Sequence, residues 1–187
     1  MKKINAKTLE DAILFATKKH QGMVRMGDGT PYILHPLSVL FILASVKKSN
    51  NFYLLAVCAI LHDVVEDCNV SLTEIAKKFG HNVSSIVGEL TTDKEKCKAM
   101  GKAEYLSEKM LTMSSYALRI KLADRTHNVS DLDSLDSVKR EKSIKETRFI
   151  LESLKDRHLT KTHKILIKRI AKSIEKSEKN QIKNETI

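Results

Sequence analysis

His62, Asp63, Glu66 and Asp67 fall within six positions, in the stretch HDVVED, directly after an apolar or weakly polar run from Phe52 to Leu61. Charged side chains are rarely buried unless they are paired or hold a metal. On a helix of about 3.6 residues per turn, Glu66 lies about 40° from His62, Asp63 about 100° and Asp67 about 140°. If one helix continues through the stretch, the four polar groups share one face and Val64 and Val65 point into the core. Such a cluster at a buried helix end is unfavourable without a cation, and a divalent metal is the economical explanation. The alternative is an exposed helix end with solvated acids, although acids there oppose the helix dipole.

Two more segments add to the pattern. His35 stands in YILHP, at a junction between a loop and a helix. Asp124 stands in KLADRTHN, on a segment whose inner side carries Ala117, Ile120 and Ala123. An aspartate there needs a partner; Asn128 lies one turn on and Lys121 one turn back, on the same face. His35, His62, Asp63 and Asp124 make a mixed nitrogen and oxygen set, which suits Mn2+, Fe2+ or Zn2+ better than Mg2+ or Ca2+. Sulfur ligands are too few for a closed structural zinc site. Four protein ligands on a six-coordinate ion leave room for water and substrate, the arrangement of metal-assisted hydrolysis.

The elements that must position these residues read as helices. The 187 residues suggest one domain with enough chain for a core without disulfides. Cys58, Cys68 and Cys97 are odd in number and lack CxxC spacing, which fits a reducing compartment. No signal-type segment opens the chain and no apolar run is long enough for a bilayer, so a soluble cytoplasmic protein without a membrane partner is expected. The formal charge is +10, and residues 155–187 carry ten Lys or Arg against four Asp or Glu. That end reads as a solvated lysine-rich helix or the mark of an anionic partner.

Helical periodicity dominates, so the class is all-α. Leu9, Ala12, Ile13 and Ala16 share a face of a first helix that Thr8 can cap. The glycines and Pro31 of QGMVRMGDGTPYILHP predict a loop with room for a short hairpin near 24–33. Pro36 suits the first turn of a helix reaching about Lys48, with Leu37, Leu40, Phe41 and Ala44 inward. A buried helix follows from 52 to about 65, with Asn50 or Asn51 as its cap. SLTE at 71–74 has capping-box spacing and Gly80 closes that helix. Val83, Ile86, Val87 and Leu90 mark another, and TTDKEKCKAMGK is a polar connection. Helices are then expected at roughly 102–112, 115–130, 136–155 and 161–176, before a fraying tail. His20 reads as packing or buttressing, His127 as a neighbour of the site rather than a ligand, and the methionines at 100, 110 and 113 as core filler.

With these residues assembled, the sequence resembles the HD-domain phosphohydrolases, and more narrowly the hydrolase domain of the RelA/SpoT family and its small alarmone hydrolases. The segments that carry the resemblance are FATKKHQGMVR, PYILHPLSVLFILA, AILHDVVED, SLTEIAKKFGHNVSSIVGELTT and RIKLADRTHNVSDL, in order over roughly residues 8 to 150. The resemblance implies an HD-domain bundle of about 8–10 helices. It implies a single domain, with 1–155 as the alarmone hydrolase part and 156–187 as a basic C-terminal helix and frayed tail. It implies Mn2+-dependent removal of the 3′-pyrophosphate of guanosine 3′,5′-bis(diphosphate) or its pentaphosphate relative, giving GDP or GTP and pyrophosphate. By the same resemblance His35, His62, Asp63 and Asp124 are the metal ligands. Glu66 and Asp67 activate and position the water, Arg25 packs on the guanine base and Asn128 contacts the nucleotide near the ribose.

The sequence departs from the family where Met26 follows Arg25, a place where small alarmone hydrolases often carry a second basic residue, and in the loop RMGDGTPY. Little chain follows the matching region, so synthesis of the alarmone is not expected. Two other readings stand beside the hydrolase. One is an HD-type phosphohydrolase for another phosphorylated nucleotide. The other is a non-catalytic module binding a nucleotide, or nucleic acid through the basic end. The intact Glu66 and Asp67 favour catalysis, and nucleic acid is not expected as the main partner.

Overall fold

The computed structural model describes residues 3–26, 29–46 and 51–185, with side chains to 181. Among the described residues there are eleven α-helices, one 3-10 turn at Leu132–Ser134 and no β-strand. The expected ends at Lys48 and Asn50, the glycine at 27 and the last two residues of the tail lie outside the described residues.

The first helix, α1 (Ala6–Lys19), begins one turn before the expected cap. Asn5 is the cap: its side chain accepts from the Thr8 amide at 3.1 Å, and Thr8 returns the bond as the other half of a capping box. The chain then turns through residues 20–33. An isolated antiparallel bridge, Val24 to Pro31, is what forms of the expected hairpin. The Arg25 amide donates to Thr30 O and the Tyr32 amide to Met23 O, both at 2.9 Å. These bonds fix Arg25 and Tyr32 on the same rim.

Helix α2 (Leu34–Val46) carries Pro36 in its first turn, where the missing N–H is harmless. Its inward face is only partly the expected one: Leu40 is buried and Leu37 packs against the core. His35, Val39 and Leu43 are buried, one turn apart, whereas Phe41 is 68 % exposed and Ala44 is also exposed. The segment is apolar nearly all round, so its period could not choose the face; the inward histidine does.

The expected helix from 52 to 65 is broken. Helix α3 (Phe52–Ile60) ends in a turn over Leu61, His62 and Asp63, and a single helical turn, α4 (Val64–Asp67), resumes. Inside a continuous helix the Ala59 carbonyl would accept from the Asp63 amide. Here it accepts from the His62 ring instead, through Nδ1 at 2.8 Å. A side chain has taken over a backbone acceptor, which stops the helix at the site.

Helices α5 (Leu72–Phe79) and α6 (His81–Leu90) pack as a pair, with Ser71 as the cap of α5 and Gly80, at φ 98°, between them. The polar connection proves to contain a helix, α7 (Lys94–Met100), capped by Asp93. Helix α8 (Lys102–Thr112) and α9 (Ser115–Ser130) sit where expected, as does α10 (Ser137–Ser153) behind its cap Asp136. Met110 and Met113 are buried but Met100 is 38 % exposed, so it is not core filler.

Helix α9 is the axis of the bundle. It packs against α2, α3, α6, α10 and the last helix, α11 (Lys161–Glu185), and it is buried on nearly every side. Helix α11 continues to Glu185, where fraying was expected after about residue 176. His163, Leu166, Ile170, Ile174 and Ser177 form its buried stripe. No helix among the described residues is long and apolar enough to cross a membrane.

Candidate active site

The site lies where three elements meet: the first turn of α2, the break between α3 and α4, and the middle of α9. His35 and His62 are each 2 % exposed and Asp124 is 6 % exposed. One ligating atom from each of these three residues falls within 4.8 Å of the others. Asp63 completes the group: its Oδ2 lies 3.1 Å from His62 Nε2 and 3.5 Å from His35 Nε2. Asp124 Oδ1 lies 3.2 Å from His35 Nε2. The break after α3 turns His62 and Asp63 toward a common point, by a different route from the shared helix face that the spacing suggested.

The chemistry of these atoms tests whether a cation fits. His62 donates from Nδ1 to the Ala59 carbonyl, so neutral imidazole leaves a bare lone pair on Nε2. That atom is buried and makes no hydrogen bond. Its nearest polar neighbour is Asp63 Oδ2, which is also an acceptor. Two acceptors held face to face in a dry site require either a proton or a metal ion between them. The donor set of two imidazoles and two carboxylates fits a divalent cation.

Titration follows the same logic. Burial opposes charge on His62, yet the Asp63 carboxylate, helped by Asp124, lifts its pKa to about 9. Burial alone would raise Asp63 and Asp124, but His62 holds the first below the usual carboxylate range and Lys121 holds the second well below it. Because the folded pKa of His62 is raised, its stabilising contribution is complete below its unfolded value of 6.5 and is lost as pH rises through about 9. In chelator, the thermal midpoint is therefore expected to fall between these two pH values. Saturating divalent metal should flatten that fall, because the metal replaces the proton. A midpoint that is flat across this range in chelator would contradict the protonated His62.

Several side chains hold the cluster. Lys121 Nζ lies 3.0 Å from Asp124 Oδ2, and Asn128 donates to Asp124 Oδ1 at 2.6 Å. Both belong to α9, three and four residues from Asp124, as the periodicity predicted. His127 turns its Nδ1 to His35 Nδ1 at 3.0 Å, supporting the ring from behind. His20 is buried against Tyr32, with ring centroids 4.8 Å apart, and contacts the Cys68 sulfur at 3.1 Å.

Tyr32 was not singled out by the sequence, although it stands three residues before His35. Its hydroxyl lies 2.8 Å from Asp63 Oδ2 and 3.1 Å from Asp67 Oδ2. A phenol has one proton to donate, so the two carboxylates share it. Tyr32 thus ties a residue of the metal cluster to one of the two acids that follow it. Tyr32→Phe is expected to weaken divalent-metal affinity by about tenfold, the low end for partners that orient ligands. Isothermal titration with Mn2+ checks this, and an unchanged affinity would remove Tyr32 from the site.

Glu66 and Asp67 point into the same cleft. Glu66 Oε2 accepts from the Thr92 amide at 2.9 Å, and Lys94 Nζ donates to the Glu66 carbonyl at 3.1 Å. Burial and the nearby Asp63 raise the pKa of Asp67. The cleft has a volume of about 860 Å³. On one wall Arg25 donates to Asn128 Oδ1 at 3.3 Å and to Asp131 Oδ2 at 2.9 Å. Another wall carries Lys94, Lys98 and Lys102, four residues apart along α7 and the start of α8. These lysines were passed over because their segment read as a connection; the four-residue spacing was the available signal. Asp131 was also missed, and nothing in its surroundings in the sequence marks it. Arg140, on α10, donates to the Leu132 and Leu135 carbonyls at 3.1 Å.

An all-helical bundle here gathers two histidines and two aspartates near one point, a donor set that could hold a divalent metal. The chain belongs to the HD-domain family: the family model described as "HD domain" matches residues 12–158. Membership implies dependence on a divalent metal. The chain is 38 % identical over 157 residues to the bifunctional (p)ppGpp synthase/hydrolase SpoT of Escherichia coli K12, covering 81 % of this chain and 22 % of that one. It is 36 % identical over 139 residues to the guanosine-3′,5′-bis(diphosphate) 3′-pyrophosphohydrolase of Haemophilus influenzae, covering 72 % and 20 %. The chain therefore spans only about a fifth of the length of these curated relatives. Among solved structures, a metazoan ortholog of SpoT, described as hydrolysing ppGpp, superposes with a TM-score of 0.78. That match is 23 % identical and covers 94 % of this chain and 98 % of the other, which establishes the shared fold.

Proposed function

We propose that this protein hydrolyses guanosine 3′,5′-bis(diphosphate) and its pentaphosphate relative in the cytoplasm, releasing pyrophosphate from the 3′ position. The observation that carries the reading is the buried His62 Nε2, set 3.1 Å from Asp63 Oδ2 so that a proton or a divalent ion must lie between them, in a chain 38 % identical to SpoT over 157 residues. His35, His62, Asp63 and Asp124 are the proposed ligands, and Mn2+ is the proposed ion, because imidazole and carboxylate together suit it. Such an ion lowers the pKa of water and offsets charge on the phosphoryl oxygens.

The protein groups do the rest. Glu66 and Asp67 orient the attacking water and take its proton, a role suited to carboxylates fixed by the Thr92 amide and the Tyr32 hydroxyl. The water oxygen bonds to phosphorus, the bond from phosphorus to the 3′ oxygen breaks, and that oxygen leaves with a proton. Lys94, Lys98 and Lys102 offset the negative charge of the phosphates from across the cleft. Arg25 is held by Asn128 and Asp131 in a position to stack on the guanine, and Asn128 faces the same space. The helix at 161–185 belongs to the same domain in this reading, because it packs along α9, which carries Asp124.

The test is direct. Pure protein with Mn2+ and guanosine 3′,5′-bis(diphosphate) is expected to yield GDP and pyrophosphate in equal amounts. Turnover of another phosphorylated nucleotide, with none of the alarmone, would replace the substrate and keep the metal chemistry. No metal-dependent turnover of either would remove the hydrolase reading.

A further inference from the structure

Helix α11 presents two faces of opposite character. Between Lys161 and Gln181 its exposed positions are Lys161, Lys164, Lys168, Lys172, Glu175, Lys176 and Lys179. All but one are lysine, and they recur every three or four residues, so they form one stripe along the helix. From Lys161 to Lys179 the stripe runs about 27 Å at 1.5 Å per residue. The opposite face is the stripe of Leu166, Ile170 and Ile174 buried on α9, which holds the helix in place.

Glu175 is the one acid among the exposed positions of this face, and Asp133 feels the charge of Lys176, so the six lysines outnumber the acids near them. None of the six makes an ion pair or side-chain hydrogen bond among the described residues. The nearby acids are engaged elsewhere. Glu178 pairs with Arg148 at 2.9 Å. Asp133 accepts from Ser177 at 2.6 Å and from Asn180 at 2.9 Å. Like charges three and four residues apart on a helix repel. The fold holds a row of mutually repelling cations in a straight line, and a polyanion lying along it would relieve that repulsion.

We propose that this face of α11 is a docking surface for the phosphate backbone of double-stranded nucleic acid, independent of the hydrolase cleft. Lysines four residues apart are spaced about 6 Å along the axis, and a duplex carries one phosphate charge about every 1.7 Å of its length, so each lysine can meet a phosphate. The stripe carries no aromatic side chain on which an unpaired base could stack, which favours a duplex over a single strand. Among its described side chains, Lys161 to Gln181, no large apolar one is exposed, which disfavours a lipid surface. Lysines without base-reading partners predict binding that ignores sequence and falls steeply with salt.

Fluorescence anisotropy of the full chain with a labelled DNA duplex of about twenty base pairs, titrated between about 50 and 200 mM salt, tests the surface. With all six lysines engaged, log Kd is expected to rise with log salt with a slope of about 5. Replacing Lys168, Lys172 and Lys176 together with Gln, which keeps helix propensity, should lower that slope by about 3 and weaken low-salt binding at least about tenfold. Replacing Lys7, Lys18 and Lys77 with Gln removes the same charge from other exposed positions and should leave the slope nearly unchanged. Both variants should keep the parent thermal midpoint, so a loss of binding is not a loss of fold. The proposal is overturned by absence of duplex binding at low salt, or by equal losses in the two variants. It is also overturned by equal affinity for the single strand, or by stripe-dependent binding to vesicles containing phosphatidylserine without binding to the duplex.

Discussion

Asp63→Ala is expected to abolish divalent-cation binding and hydrolysis together. Asp63 Oδ2 is the atom nearest to the bare Nε2 of His62 and also lies beside His35 Nε2 and the Tyr32 hydroxyl. Removing it leaves His35, His62 and Asp124 facing a gap on one side. Loss of a side chain that only orients a ligand already costs about 10–100-fold in metal affinity. Loss of a ligand carboxylate should therefore cost at least about 100-fold, and turnover should fall with it because both the ion and its charge are needed. The same variant removes the main cause of the raised His62 pKa. In chelator, the pH dependence of its thermal midpoint between 6.5 and about 9 should accordingly flatten. Mn2+ titration, turnover and the midpoint profile give three separate readings. Full activity in Asp63→Ala would refute the site.

Glu66→Gln is expected to divide the chemistry differently, with turnover lost and metal binding kept. The Gln side chain retains an oxygen that can accept from the Thr92 amide, so the local geometry survives. What it loses is the ability to take a proton. General-base contributions are about 10²–10⁴-fold in rate, and kcat should fall by that factor with KM little changed. Metal affinity should stay within about threefold, because Glu66 stands outside the group of His35, His62, Asp63 and Asp124 and the usual cost of disturbing a supporting residue is larger. If metal affinity falls in parallel with kcat, Glu66 acts on the cluster and not on the water.

The two variants separate what HDVVED compresses into six residues. In the structure His62 and Asp63 belong to a turn, Val64 is wholly buried, and Glu66 and Asp67 belong to a short helix facing the cleft. The residue types were legible because an imidazole and three acids after an apolar run need an explanation. The backbone there was not. No glycine or proline marks a stop at 61–63, and the bond from His62 to the Ala59 carbonyl, made in a buried setting, accompanies the end of the helix at Ile60.

Helix α9 was the most legible element. Its length and the placing of Lys121, Asp124 and Asn128 on one face follow from a period of 3.6. Helix α2 was the least legible: with apolar residues on all sides, its pattern does not distinguish Phe41 from Val39, and burial is settled by what packs against it. Tyr32, Asp131 and the three cleft lysines were missed for a related reason. The partners of Tyr32 and Asp131 lie far off in sequence, as in the pair of Arg25 with Asp131 and of Tyr32 with Asp63, and the spacing of the lysines was hidden in a segment that read as a connection.

By itself the sequence determined the helical class, the donor types of the proposed metal site and the family that residues 12–158 belong to, because periodicity and ligand chemistry are properties of residues taken in order. Only the tertiary structure decided that His62 Nε2 is left without a hydrogen bond beside Asp63, that Tyr32 links Asp63 to Asp67, and that the lysine face of α11 is turned outward while Leu166, Ile170 and Ile174 pack inward. Each of these depends on which atoms are brought close and which are shut away from water. Those two conditions are set by the packing of α2, α3 and α11 around α9.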